Sequence, residues 1–249
     1  MMEHALFVSN PENLKFYEQG KFGRLYFGNE FCEHLIPTEG QLKYIVEWCE
    51  EKLLNLSFVT PAFLRDENIR MLSGLLEILP KGTEVIFNDY GLLDIINSND
   101  HVPIQGRVLS IITRDPRTIR NKNNFEYMRL NNLTPVYQRE MMHRGIMRIE
   151  LDNVRQGYVF RAIEGIRTSL YYPFVYCNIT RNCVFYDKQE GKHKCESEPL
   201  EGSLEGAKIG IKGNVQYYKN SKRPETEGWN LDRLIYMPVF PNDNREIRE

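Results

Sequence analysis

The chain has 249 residues, 41% of them hydrophobic and 27% charged, a composition that excludes wholly disordered and fibrous proteins. With 32 Lys and Arg against 34 Asp and Glu, the net charge of −2 provides no global field for nucleic acid or an anionic membrane. No apolar run approaches the roughly 20 residues of a membrane helix, and the start Met1-Met2-Glu3-His4 lacks a signal peptide's basic flank and apolar stretch, which predicts a cytoplasmic protein without a membrane span.

In chain order, Arg24–Gly28 is the first predicted strand. Thr38 and Gln41 then form a capping box with Pro37 outside it, and the helix that follows sets Leu42, Ile45, Val46, Cys49 and Leu53 on one face. Leu56–Thr60 is a strand closed by Pro61; Asp66 caps a helix to about Leu79, stopped by Pro80-Lys81-Gly82. Glu84–Asn88 is a third strand, Leu92–Ile96 the centre of a short helix, and Val102–Ser110 a fourth strand around Gly106. Strands recurring roughly every 28 residues with helices between them predict βα units and a parallel sheet.

The second half is less regular. Leu133–Gln138, Ile146–Leu151 and Ser169–Tyr176 are predicted strands, the last running straight into Cys177. Ile209–Lys212 and Val215–Tyr218 flank Gly213-Asn214 as a hairpin, Leu234–Phe240 is a final extended stretch, and residues 242–249 are a polar, fraying tail. With no repeat or linker, the expectation is one α/β domain over 1–249, a (β/α) TIM-like barrel incomplete or distorted in its second half; a doubly wound open sheet competes with it.

Five cysteines in a chain without a secretion signal argue against a disulfide framework, and the Asn-x-Ser/Thr triplets at Asn55, Asn132 and Asn178 are chance matches. Cys49, on the apolar helix face, is expected to be plain core. Cys32 follows the first predicted strand, while Cys177, Cys183 and Cys195 run as C-x5-C-x11-C after a late one. In a closed barrel an early and a late strand are neighbours, so four thiols from two loops match an iron–sulfur cluster or tetrahedral zinc; four unrelated thiols are the alternative.

Other strand ends carry candidate chemistry. Asn88 and Asp89 close the third strand, where Asp89 serves equally as an Asx turn and helix cap. Arg107 can clamp a carboxylate bidentately, and alternation sets Glu150 and Asp152 on one side of their strand, able to reach a central cavity, with a solvated loop acid as the alternative and the favoured reading for Asp152. Between Arg107 and Arg148 lie nine basic residues (107, 114, 117, 120, 122, 129, 139, 144 and 148) against three acids (115, 126 and 140), a surface for RNA, an anionic metabolite or an acidic partner if it is not simply solvated. Tyr171, Tyr172, Phe174 and Tyr176 could stack on a flat substrate, but just before the cysteines they are expected to form core and a dry shell around a cluster.

Leu25–Cys32, Val85–Gly91 and the late cysteine group together resemble the peptidase family U32, most closely its short iron–sulfur members, over about Leu25 to Cys195. That resemblance implies Cys32, Cys177, Cys183 and Cys195 as ligands of a [4Fe–4S] cluster, and oxygen-independent hydroxylation of a small aromatic, quinone-type or RNA-base substrate, alone or as a subunit beside a larger homologue. A non-enzymatic partner protein stabilised by a cluster or zinc is the alternative. The family's nominal peptidase activity has no support, since neither a G-x-S-x-G elbow nor an H-E-x-x-H helix occurs.

Overall fold

The computed structural model describes residues 2–117, 128–130, 133–194, 197–204, 206–222, 226 and 228–240. Asn132, Cys195, Arg120, Lys122 and the tail 242–249 therefore lie outside the described residues.

Eight parallel strands close into a barrel. They are β1 (Glu3–Val8), β2 (Arg24–Gly28), β3 (Asn55–Val59), β4 (Glu84–Phe87), β5 (Val102–Gln105), β6 (Arg148–Asp152), β7 (Arg167–Tyr172) and β14 (Leu231–Tyr236). Around the barrel they are ordered β1-β14-β7-β6-β5-β4-β3-β2. Helices α1 (Glu39–Lys52), α2 (Asp66–Leu76), α3 (Leu93–Ser98) and α4 (Pro135–His143) lie in the connections after β2, β3, β4 and β5. All five residues of β6 are buried, as expected of a barrel strand packed on both faces.

The return from β7 to β14 builds no crossover helix among the described residues. Instead β8 (Phe174–Ile179), β11 (Leu200–Leu204), β12 (Ala207–Lys212) and β13 (Val215–Lys219) form an antiparallel sheet ordered β11-β12-β13-β8, with a small hairpin of β9 (Tyr186–Asp187) and β10 (Lys192–His193). The expected second-half distortion is this inserted sheet at the strand-end face.

Local chemistry explains most of the first half. In α1, Thr38 Oγ1 accepts from the Gln41 N–H while the Gln41 side chain accepts from the Thr38 N–H, closing the capping box. Leu42, Ile45 and Cys49 of α1 are buried against Leu25, Phe27 and Phe58 in the layer between helices and sheet. Full burial of each such aliphatic or aromatic side chain contributes about 1.5–3 kcal/mol. Burial pushes the Cys49 thiol up to about 12, so this cysteine acts as a small hydrophobe. Gly28 ends β2 at φ +134°, where a Cβ would stand 2.0 Å from the Val59 carbonyl oxygen; only glycine lets β2 and β3 approach there.

Several predicted boundaries differ. Glu3–Val8 is a barrel strand that sequence reading passed over. Leu53 lies beyond α1 in a left-handed cap and is 92% exposed. Arg65, not Asp66, occupies the cap position of α2, with Asp66 its first residue. The fourth predicted strand stops at Gln105, because Arg107–Leu109 turns into a 3₁₀ helix. Leu133–Gln138 is helical: Thr134 accepts from the Tyr137 N–H at the cap and Pro135 occupies the first turn. Ser169–Tyr176 is two strands, parted at Pro173 into barrel strand β7 and sheet strand β8. The last extended stretch begins earlier, at Leu231, and pairs with β1 to close the barrel.

Candidate functional site

Inward-facing positions stack polar groups along the barrel axis. At the N-terminal end Arg233 donates to Glu3 (2.6 Å) and Glu84 (2.6 and 3.0 Å), and Arg24 donates to Glu3 (2.9 Å). One layer up, Arg233 donates to the Tyr26 hydroxyl, which donates to Glu150 (2.9 Å); Tyr171 donates to the other Glu150 oxygen (2.5 Å). Burial pushes the Glu150 carboxyl up to about 8, against the hydrogen bonds from Tyr171 and Tyr26, so it is mostly protonated at neutral pH.

At the C-terminal mouth sits Arg107, fully buried. Its guanidinium grips Glu30 with Nε (2.9 Å) and Nη2 (2.6 Å), and donates from Nη1 to Asp152 (2.8 Å) and the Phe174 carbonyl (3.1 Å). Arg114 holds the second Asp152 oxygen (2.7 Å) and donates to the carbonyls of Arg107 and Ser110. Burial opposes the Arg107 charge, but Glu30 and Asp152 outweigh it and hold the guanidinium well above its ordinary range. Glu30 and Asp152 are as fully buried as Arg107. Arg107 lies over the Tyr171 ring at 4.1 Å, and the rings of Phe31 and Tyr176 stand 5.5 and 5.9 Å away.

Aromatic rings close the mouth above this network. Phe240 stacks on Phe31 (5.6 Å between centroids) and on Tyr217 (4.1 Å). Tyr176 packs against Phe31 on one side and lies under the Arg114 guanidinium on the other. Tyr171, Phe174 and Tyr176 are buried, the core role expected of them, while Tyr172 is half-buried.

The structure thus brings Arg107, Glu150 and Asp152 together on the axis. Glu30 and Arg114 complete the group, and sequence reading missed both as site residues. The available signal for Glu30 was its position two residues beyond a strand-ending glycine; its partner lies 77 residues away. Asn88 is buried below the mouth, donating to the Thr60 carbonyl (2.8 Å) and accepting from the Val108 N–H (3.3 Å). Asp89 points elsewhere: its oxygens accept from the N–H groups of Gly91 and Leu64, the turn-and-cap role. Of the basic segment's described residues, Arg107, Arg114 and Arg148 are buried in ion pairs and Arg117 and Arg144 pair with Asp115 and Glu140, which takes these five out of any shared cationic surface.

The cysteines divide. Cys32 and Cys183 line one small pocket with His34 and His193, whose rings lie 4.6 Å apart; burial and the His34 neighbour depress His193. Cys177 sits on the opposite face of β8, packed in the cluster that contains Tyr158, Tyr218 and Trp229, and burial pushes its thiol up to about 12. Cys195 lies outside the described residues. Among the described residues no three His, Cys, Asp or Glu side chains stand close enough to hold one metal ion. The donor set of a [4Fe–4S] cluster is therefore not assembled from them, and no step through a cluster follows.

No family model and no curated protein matches the chain. Among solved structures it is similar to a putative copper homeostasis protein, CutC, of Streptococcus agalactiae, at 10% identity over 69% of this chain and 88% of that one, TM-score 0.44. It is similar to a U32 peptidase at 8% identity over 96% and 94% of the two chains, TM-score 0.44. A chitinase of Rhizomucor miehei matches at 9% identity over 98% and 96%, TM-score 0.36. Resemblance at this level adds nothing to what the strand order already establishes, and it does not reach the chemistry. Among the described residues no helix is long and apolar enough to cross a membrane.

Proposed function

We propose that this protein is a non-enzymatic binding barrel, a scaffold or partner subunit whose axis holds the fold together and whose recognition surface lies off that axis. One observation carries the reading: Arg107, at the mouth where barrel catalysts sit, is fully buried and spends its donors on Glu30, Asp152 and Phe174 under a roof of Phe31, Tyr176 and Phe240. A catalytic or substrate-clamping arginine needs a face left for the substrate; this one is shared among groups of its own chain. Oxygen-independent hydroxylation, the expectation from the family resemblance, would require sulfurs converging where the described residues place only Cys32 and Cys183 in one pocket.

A second reading draws on Glu150. A carboxylic acid held neutral between two tyrosines is a proton donor in waiting, and strongly shifted groups collect at active sites. That reading requires the aromatic roof to open. Native-state hydrogen exchange separates the two, because an opening mouth exposes the amides of Val108 and Asp152 at a cost well below global unfolding. The binding barrel predicts that both exchange only through global unfolding. Exchange at a free energy several kcal/mol lower overturns it and favours the catalytic mouth.

A further inference from the structure

A sizeable cavity lies beside the barrel, not in it. A groove of about 880 Å³ runs between the β11–β12–β13 sheet and the segment Pro238–Phe240 that follows β14. Such a volume falls in the range of small-molecule sites.

Pairing across the sheet arranges its charges. Ser203 of β11 is opposite Lys208 of β12, and Lys219 of β13 is opposite Phe174 of β8. The β12–β13 ladder ends at the Gly210–Tyr217 pair, and beyond it Lys208 and Lys219 both line the groove. Two like charges thus border one cavity, and an anion held between them would relieve their repulsion. Arg155 reaches the same end of the groove, donating to the Lys219 carbonyl (3.3 Å). None of Arg155, Lys208 and Lys219 has a carboxylate within 4 Å among the described residues; Lys219 rests over the Phe174 ring. Among the described residues the acids that line the groove, Glu198 and Glu201, belong to the β11 side.

One row of the sheet supplies an apolar floor. Glu201, Gly210, Tyr217 and Tyr176 are in register, and Tyr217 crosses so close over Gly210 that a Cβ there would lie 2.4 Å from its ring. Gly210 lets the ring lie flat, stacked on Phe240, with Val239 beside it on the groove wall.

We propose that this groove binds a small organic anion, its phosphate or carboxylate on Lys208, Lys219 and Arg155 and its ring-bearing body along Tyr217 and the Pro238–Phe240 segment. This deepens the binding-barrel reading and rests on it for the location of recognition; hydrogen exchange at the mouth tests that reading, and ligand titration tests this one. The full-length chain is titrated calorimetrically at low salt with AMP, adenosine, inorganic phosphate and benzoate, and the series is repeated with the double variant Lys208→Ala, Lys219→Ala. AMP or benzoate is expected to bind, with whichever is tighter naming the phosphate or carboxylate source. Adenosine and phosphate, each lacking half the chemistry, should be about tenfold weaker or more, and the double variant should lose about tenfold while its circular dichroism is unchanged. Failure of both AMP and benzoate to bind, or binding that the double variant leaves intact, overturns the proposal. Tighter, salt-sensitive binding of a short single-stranded RNA than of AMP also overturns it, reassigning the groove to nucleic acid.

Discussion

The barrel axis and the side groove use the same kinds of residue in opposite ways. On the axis every cation meets carboxylates of its own chain: Arg107 has Glu30 and Asp152, Arg114 has Asp152, and Arg233 has Glu3 and Glu84. In the groove Lys208 and Lys219 line one cavity, and no carboxylate among the described residues lies within pairing distance. A charge answered within the chain is committed to the fold; a pair of like charges left bordering one cavity is available to something outside it. Net charge is blind to this, because −2 summed over the chain hides both arrangements.

The comparison breaks most readily at Arg107. Removing it leaves Glu30 and Asp152 buried beside an unfilled space, and losing one partner of a buried ion group costs about 3–5 kcal/mol. Arg107→Met is expected to lower unfolding stability by that amount in urea titrations, and Glu30→Gln in the same chain should restore a good part of it. If Arg107→Met unfolds at the wild-type midpoint, the axis is not held by its charges.

The next effect is a pH dependence. Glu150 is raised from an ordinary carboxyl value to about 8 in the fold, so the folded protein holds a proton that the unfolded chain releases near pH 4.5. Its contribution is complete below that pH and is lost as pH rises toward 8, beyond which it is gone. The expected loss is a few kcal/mol, since each tenfold change in proton affinity is worth about 1.4 kcal/mol. Thermal midpoints measured from pH 4.5 to 9 should fall over this window, and Glu150→Gln should flatten that part of the curve. A wild-type curve that rises steadily over the window would mean that Glu150 is ionised in the fold.

These two effects rest on residues whose side of the strand was legible in sequence but whose partners were not. Alternation alone set Glu150 and Asp152 facing one way, and Arg107 stood at a strand end. Nothing local links Arg107 to Glu30, because the contact exists only once β2 and β5 share a closed barrel. The βα rhythm of residues 24–105 was legible because apolar periodicity and caps are local signals, and so was the Gly213-Asn214 hairpin. Strand β1 escaped because it opens on Glu3 and His4, and Glu3 is polar for the charged layer at the barrel's N-terminal end. Leu133–Gln138 was misread because the apolar residues Leu133 and Val136 outweighed the stronger signal of Thr134-Pro135, a helix cap followed by a first-turn proline. The cysteine spacing pointed to one centre, yet strand alternation turns Cys177 to the far side of β8 from its neighbour Tyr176.

On the groove side the largest stability effect is steric. In Gly210→Ala the new methyl would meet the Tyr217 ring at 2.4–2.7 Å, and Tyr217 cannot swing away without leaving Phe240, 4.1 Å beneath it. Overpacking of this kind costs about 1–3 kcal/mol. Urea titration should show that loss, and near-ultraviolet circular dichroism should show a changed tyrosine environment. An unchanged spectrum and midpoint would mean that Tyr217 does not lie across Gly210.

The smallest effect has the opposite sign, and it sharpens the contrast. Deleting a cation on the axis removes a partner, whereas deleting one in the groove removes a repulsion. Like charges bordering one exposed cavity repel by about 1 kcal/mol or less, screened by salt because both lysines are exposed. Lys208→Ser should therefore leave the ligand-free protein slightly more stable than wild type at low ionic strength, and the gain should disappear at about 1 M salt, where the screening length is about 3 Å. A bound organic anion reverses the order, stabilising wild type more than the variant, because the two lysines then share a counter-charge. Destabilisation by Lys208→Ser without ligand would place this lysine with the arginines of the axis, as a charge already answered inside its own chain.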